Sequence, residues 1–133
     1  MGGTFSADVA RFVRQANLKV DQVVSGVVFS LGSKMIDATP VLTGRARGNW
    51  LVSLDGLKKD KTAAFDKSGA LSKNRLAVSL EGVSTRKTKM IWFTNTLEYI
   101  IPLEYGHSAK SPEGMVRATL SNFRGIVAEE LRK

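Results

Sequence analysis

Apolar residues recur at helical spacing from the start of the chain. Phe5, Val9, Phe12, Val13, Ala16, Val20, Val23, Val24, Val27, Val28, Leu31 and Met35 follow one another at intervals of mostly three, four or one. Arg14, Lys19, Asp21, Gln22 and Lys34 fill the polar side. This pattern predicts a helix over Ser6–Ala38, with Ser6 or Asp8 as its cap. Thr39-Pro40 ends it, because a residue before proline avoids the helical region. Thirty-odd residues at about 1.5 Å each would reach about 45 Å, more than a small domain needs. The helix is therefore expected either to break near Asn17–Lys19 or to project one part toward a neighbour. Gly26 and Gly32 weaken a helix unless another backbone packs closely there.

Alternation replaces helical spacing after Trp50. Trp50, Val52 and Leu54 interleave with Leu51, Ser53 and Asp55, which predicts a strand with one mainly apolar face. Residues 56–72 are rich in Lys, Asp, Gly and Ser and read as a flexible loop. Leu71–Leu80 fits a short helix or a strand. Lys89–Asn95, with Met90, Ile91, Trp92 and Phe93, reads as a buried strand. Leu97–Leu103 is apolar and broken by Pro102. Ser111-Pro112-Glu113 has the features of a helix start, with a capping serine, proline at the first position and an early acid. Met115, Val116, Leu120, Phe123, Ile126, Val127 and Leu131 then form a stripe. The expected architecture is one domain over 1–133. Its fold class is α+β, a long N-terminal helix and a C-terminal helix packed on a small antiparallel sheet, with a long basic loop.

Composition narrows the chemistry. The 133 residues contain no cysteine, which excludes disulfides, thiolate metal sites and cysteine nucleophiles. No apolar run approaches the ~20 residues of a membrane span, and the N-terminus lacks a secretory pattern. A soluble protein kept where it is made is expected, with no membrane partner. Net charge is +8. Most of the excess lies between Gly56 and Met90, where nine basic residues face three acidic ones. Lys58, Lys59, Lys61 and Lys67 belong to this stretch. It lacks the interleaved aromatics of a single-strand binding platform, and no duplex-reading module is visible.

No constellation points to catalysis. His107 is the one histidine, and Ser108 beside it does not imply a nucleophile–base pair. Glu98 and Glu104 are six apart, a poor spacing for one helix face. No metal-ligand spacing and no phosphate-loop glycine pattern occurs. The expectation is no catalytic residue, no metal and no cofactor.

Two segments carry a resemblance. One is Thr39-Pro40-Val41-Leu42-Thr43-Gly44-Arg45-Ala46-Arg47-Gly48-Asn49-Trp50. The other is Tyr99-Ile100-Ile101-Pro102-Leu103-Glu104-Tyr105-Gly106-His107-Ser108, followed by Ser111-Pro112-Glu113-Gly114-Met115-Val116. Together they resemble the neck and tail-completion proteins of long-tailed bacteriophages, also described as minor tail or head–tail joining proteins. The resemblance implies an α+β subunit that assembles into a ring, a hexamer, at the head–tail junction of a virion. Its neighbours would be other neck proteins and the tail-tube or terminator proteins, with the genome passing through the channel. Assembly would take place in the host cytoplasm.

Within that frame Arg45, Arg47, Asn49, Glu104, Tyr105 and His107 are candidate interface residues. Arg45 and Arg47, two apart on an extended turn, would point the same way and suit carboxylate pairing, with Glu104 as a candidate partner. Tyr99 and Tyr105 suit half-buried sites with a wet hydroxyl, and Trp50 suits the core. Lys58, Lys59, Lys61 and Lys67 would face either the DNA channel, with weak unspecific contact, or an acidic partner ring. A tail terminator or head-closure stopper of the same neck is an open alternative. A small basic DNA-binding module is another, from a different class.

Overall fold

The structure is a computed structural model and describes residues 2–106 and 109–133, with side chains from residue 6 onward. Helix α1 runs unbroken over Gly2–Ala38. The break expected near Asn17–Lys19 does not occur, and neither Ser6 nor Asp8 caps the helix, since it already runs through both. Only its second half is packed. From residue 6 to residue 20 every side chain is exposed except the half-buried Asn17. This arm continues a helix that is already nucleated by its packed half, so it avoids the initiation penalty that makes short isolated helices marginal.

After α1 comes a helical turn, α2 (Arg45–Gly48), then strand β1 (Leu51–Leu54). Helix α3 (Ala70–Leu80) resolves the ambiguity of that segment in favour of a helix. Strand β2 (Ile91–Thr94) pairs antiparallel with β1, placing Val52 opposite Phe93 and Ser53 opposite Trp92. The short α4 (Ile100–Glu104), α5 (Val116–Leu120) and α6 (Phe123–Arg132) complete the chain. The α+β fold is as expected, with a long first helix, a C-terminal helix and a two-stranded antiparallel sheet, but the final helix packs against α1 and it is α3 that lies against β1.

The core gathers Ile36, Ala46, Trp50, Leu76, Leu80, Val83, Leu97, Ile100 and Met115. Val24 and Val28 of α1 and Val52, Leu54, Ile91 and Phe93 of the sheet pack against it. Trp50 is buried as expected and stacks on Phe93, with centroids 4.9 Å apart and planes 3° apart. The expected helix start at Ser111-Pro112-Glu113 is corrected. Ser111 Oγ donates to Gly114 O at 3.1 Å and closes a turn, and the helix begins only at Val116. A second break at Ser121–Asn122 separates α5 from α6.

Candidate assembly surface

The first motif is a folded corner. Thr39 Oγ1 donates to Met35 O at 2.6 Å and accepts the Trp50 indole N–H at 2.8 Å. Arg47 closes the end of α1. Its guanidinium donates to Asp37 O at 2.9 Å, Thr39 O at 3.0 Å and Lys67 O at 2.7 Å. Carbonyls at a helix C-terminus have no partner within the helix, so a cation there is favoured twice, by hydrogen bonding and by the dipole. The expected extended turn with parallel arginines is therefore wrong. The chain coils into α2, and Arg47 is turned inward to hold backbone. Asn49, expected at an interface, is instead buried within its own chain. It donates to Arg45 O and Thr62 O, and accepts from Thr62 N at 2.8 Å.

The basic stretch follows this corner closely. Thr62 Oγ1 donates to Gly48 O and Asp66 N to Gly44 O. Gly44 has φ +88, and a Cβ there would lie 2.6 Å from the amide nitrogens of Asp66 and Lys67. Glycine is required on both counts. Asp66 lies buried and accepts from Gly69 N at 3.1 Å and Ser72 N at 2.7 Å, which ties the loop to the start of α3. Farther back, Thr94 and Thr96 hydroxyls donate to the carbonyls of Lys58 and Lys59. The backbone expected as a flexible loop is thus anchored at several points, and residues 70–72 already belong to α3. The side chains of Lys58, Lys59 and Lys67 are exposed. Lys61 is not left for a partner alone, since its Nζ meets Glu98 Oε1 at 2.6 Å. That bond holds the Glu98 carboxyl below its ordinary value.

The second motif is organised by Glu104. Oε1 accepts the N–H groups of Met115 (2.9 Å) and Val116 (2.8 Å), and Oε2 those of Arg117 N (3.1 Å) and Nε (3.0 Å). The carboxylate therefore caps α5 through space. Burial pushes its carboxyl up, but the hydrogen bonds from Val116, Arg117 and Met115 outweigh this and hold it below the ordinary value. Glu104 was expected to meet Arg45 or Arg47; its cation is Arg117, which also lies over the exposed Tyr105 ring at 4.9 Å. His107 and Ser108 lie outside the described residues.

The two motifs, some fifty residues apart in sequence, line one groove. Pro40, Val41, Leu42 and Ala46 come from the first, Tyr99 and Leu103 from the second. Its volume is about 620 Å³. Lys110 Nζ donates to Val41 O at 3.0 Å and closes one end. Phe65 of the basic stretch completes the rim, 64% exposed, and Leu42 is 89% exposed. Phe65 escaped the sequence reading. The signal available was a lone aromatic in a polar loop.

Among the described residues, two apolar surfaces matter for assembly. One is the groove, and the other is the α1 arm with Val9, Phe12, Val13 and Val20 exposed. Among the described residues no group of three or more metal-ligating side chains occurs. Nor is any helix long and apolar enough to cross a membrane. No family model, no curated protein and no solved structure matches the chain.

Proposed function

We propose that the chain is a structural subunit of a bacteriophage neck, a tail-completion protein that assembles into a ring at the head–tail junction. The observation that carries this reading is the meeting of the two motifs. The segments that resemble neck proteins lie far apart in sequence and line one apolar groove on the surface. A groove with exposed Leu42 and Phe65 on its rim is a surface suited to another protein. The α1 arm supplies a second such surface, and two unlike surfaces on one molecule are what a ring of identical subunits requires.

The basic stretch takes a supporting role. Its backbone is fixed while Lys58, Lys59 and Lys67 remain exposed. In a ring such lysines would line the channel or meet an acidic neighbouring ring. Weak, salt-sensitive attraction for a duplex suits a passage that DNA must traverse.

The test is assembly without the protein. Phage lacking this gene product should accumulate filled heads beside unjoined tails under the electron microscope. Joined, infectious particles in its absence would overturn the reading, as would a virion map with no density for the chain between portal and tail tube.

A further inference from the structure

We infer that the exposed arm of α1 in one copy seats in the motif-lined groove of the next copy, so that subunits join head to tail. This deepens the ring-subunit reading and rests on it for the closed ring, while the contact itself follows from the structure of the free chain.

Three observations carry it. First, the arm has the anchors of a helix that lies in a groove. Val9, Phe12, Val13 and Ala16 stand at i, i+3, i+4 and i+7, and Val20 extends the stripe. Phe12 is 70% exposed. Asp8 and Arg11 pair with one another at 3.8 Å and are not part of this stripe.

Second, the arm cannot reach its own groove. The groove begins at Pro40, just past the C-terminal end of α1, and Phe12 sits 26 residues before Ala38. At about 1.5 Å per residue that is about 40 Å along an unbroken helix. Arm and groove are therefore opposite ends of one rod, and only another molecule brings them together.

Third, the area is right for a contact that needs repetition. The five stripe side chains expose on the order of 500 Å² and the groove offers less, so one such contact buries under about 1,000 Å², the size of a weak interface. One such contact is weak. In a ring every copy uses both surfaces, and the last contact closes without a further loss of free subunits.

The chain has no cysteine, so introduced thiols report without background. Under mild oxidation at concentrations up to about a millimolar, Phe12→Cys combined with Leu42→Cys should give a ladder of covalent dimers, trimers and higher species. Either single variant should stay monomeric. Both positions are exposed, so melting temperature should not change.

A second arm uses Phe12→Asp and Leu42→Asp. Each alone should remain monomeric in sedimentation. Mixed, they retain one intact arm and one intact groove, and should stop at heterodimers. A double-cysteine variant without bands above monomer overturns the inference. So do covalent dimers from Phe12→Cys alone, which would show arm-to-arm pairing. Failure of the neck reading would look different: the head-to-tail ladder would form, but phage lacking the protein would still join heads to tails.

Discussion

Trp50 and Thr39 are bonded across the first motif, indole N–H to hydroxyl at 2.8 Å, with both residues buried. The hydroxyl passes the bond on to Met35 O at 2.6 Å, so three residues of the corner share one chain of donors and acceptors. Replacing Thr39 by Val keeps the shape and removes the acceptor. A buried indole N–H left without a partner costs about 1–3 kcal/mol. Thr39→Val should lower the denaturant midpoint accordingly, and Thr39→Ser should recover most of the loss. A Thr39→Val protein as stable as the parent would show that the bond contributes nothing.

The two arginines of the motif should behave differently. Arg47 holds three backbone carbonyls with three separate donors, a geometry that a lysine ammonium cannot copy. Hydrogen bonds from charged groups contribute about 1.5–3 kcal/mol each at most, and they are not additive here. Arg47→Lys is expected to destabilise by about 2 kcal/mol. Arg45→Ala should change stability by no more than about 0.5 kcal/mol, as for a surface position. Equal losses for both in chemical denaturation would contradict the assignment of Arg47 as the clamp.

These arginines also show where sequence reasoning reaches its limit. Periodicity located α1 and both strands, because side-chain pattern follows the period of each element, but the stripe expected from Met115 to Leu131 is broken between α5 and α6 and leaves Leu120, Phe123 and Leu131 exposed. The end of α1 was legible from Thr39-Pro40. Glu104 was misassigned because its bonds go to N–H groups of Met115, Val116 and Arg117, and backbone donors leave no trace in side-chain identity. Arg47 was misassigned for the same reason, its partners being carbonyls. The helix start near Ser111 failed because its hydroxyl closes a turn with Gly114 O instead. The two motif segments come together in the fold. That they line one groove depends on the chain returning from Lys110 to Val41, a contact no local pattern encodes.

Two glycines of α1 should respond in opposite directions to alanine. A Cβ on Gly32 would lie 2.5 Å from Leu76 Cδ2 and 3.3 Å from Phe93 Cε2, and Leu76 is buried in the core. Overpacking of this kind costs about 1–3 kcal/mol, more than the roughly 1 kcal/mol gained in helix propensity. At Gly26 the methyl would meet the carboxylate end of Glu130, the tip of a flexible side chain whose ion-pair partner, Lys133, is exposed and can move with it. Gly26→Ala should therefore be neutral or stabilising by up to about 1 kcal/mol. Thermal melts of the two variants that shifted the same way would contradict this account.

Stability should fall on acidification, and two carboxylates should carry much of the change. For Asp66, burial pushes the carboxyl up, but the bonds from Ser72, Leu71 and Gly69 outweigh it and leave it below its ordinary value. Glu104 is depressed for the same balance of reasons. A folded value below the unfolded one means that the folded state holds its proton less tightly. The stabilisation is complete above the unfolded values, about 4 for both residue types. It is lost as pH drops through the lower folded values. Asp21 and Glu98 are also lowered, by Thr85 and Lys61 respectively, but they lie in solvent and contribute little. Denaturant midpoints should thus be level between about pH 6 and 7 and decline below about pH 5. In the double variant Asp66→Asn, Glu104→Gln the pH 7 midpoint should be lower and the decline shallower, so that the two curves approach each other as pH falls below the unfolded values. Parallel curves for parent and variant would show that other groups carry the acid sensitivity.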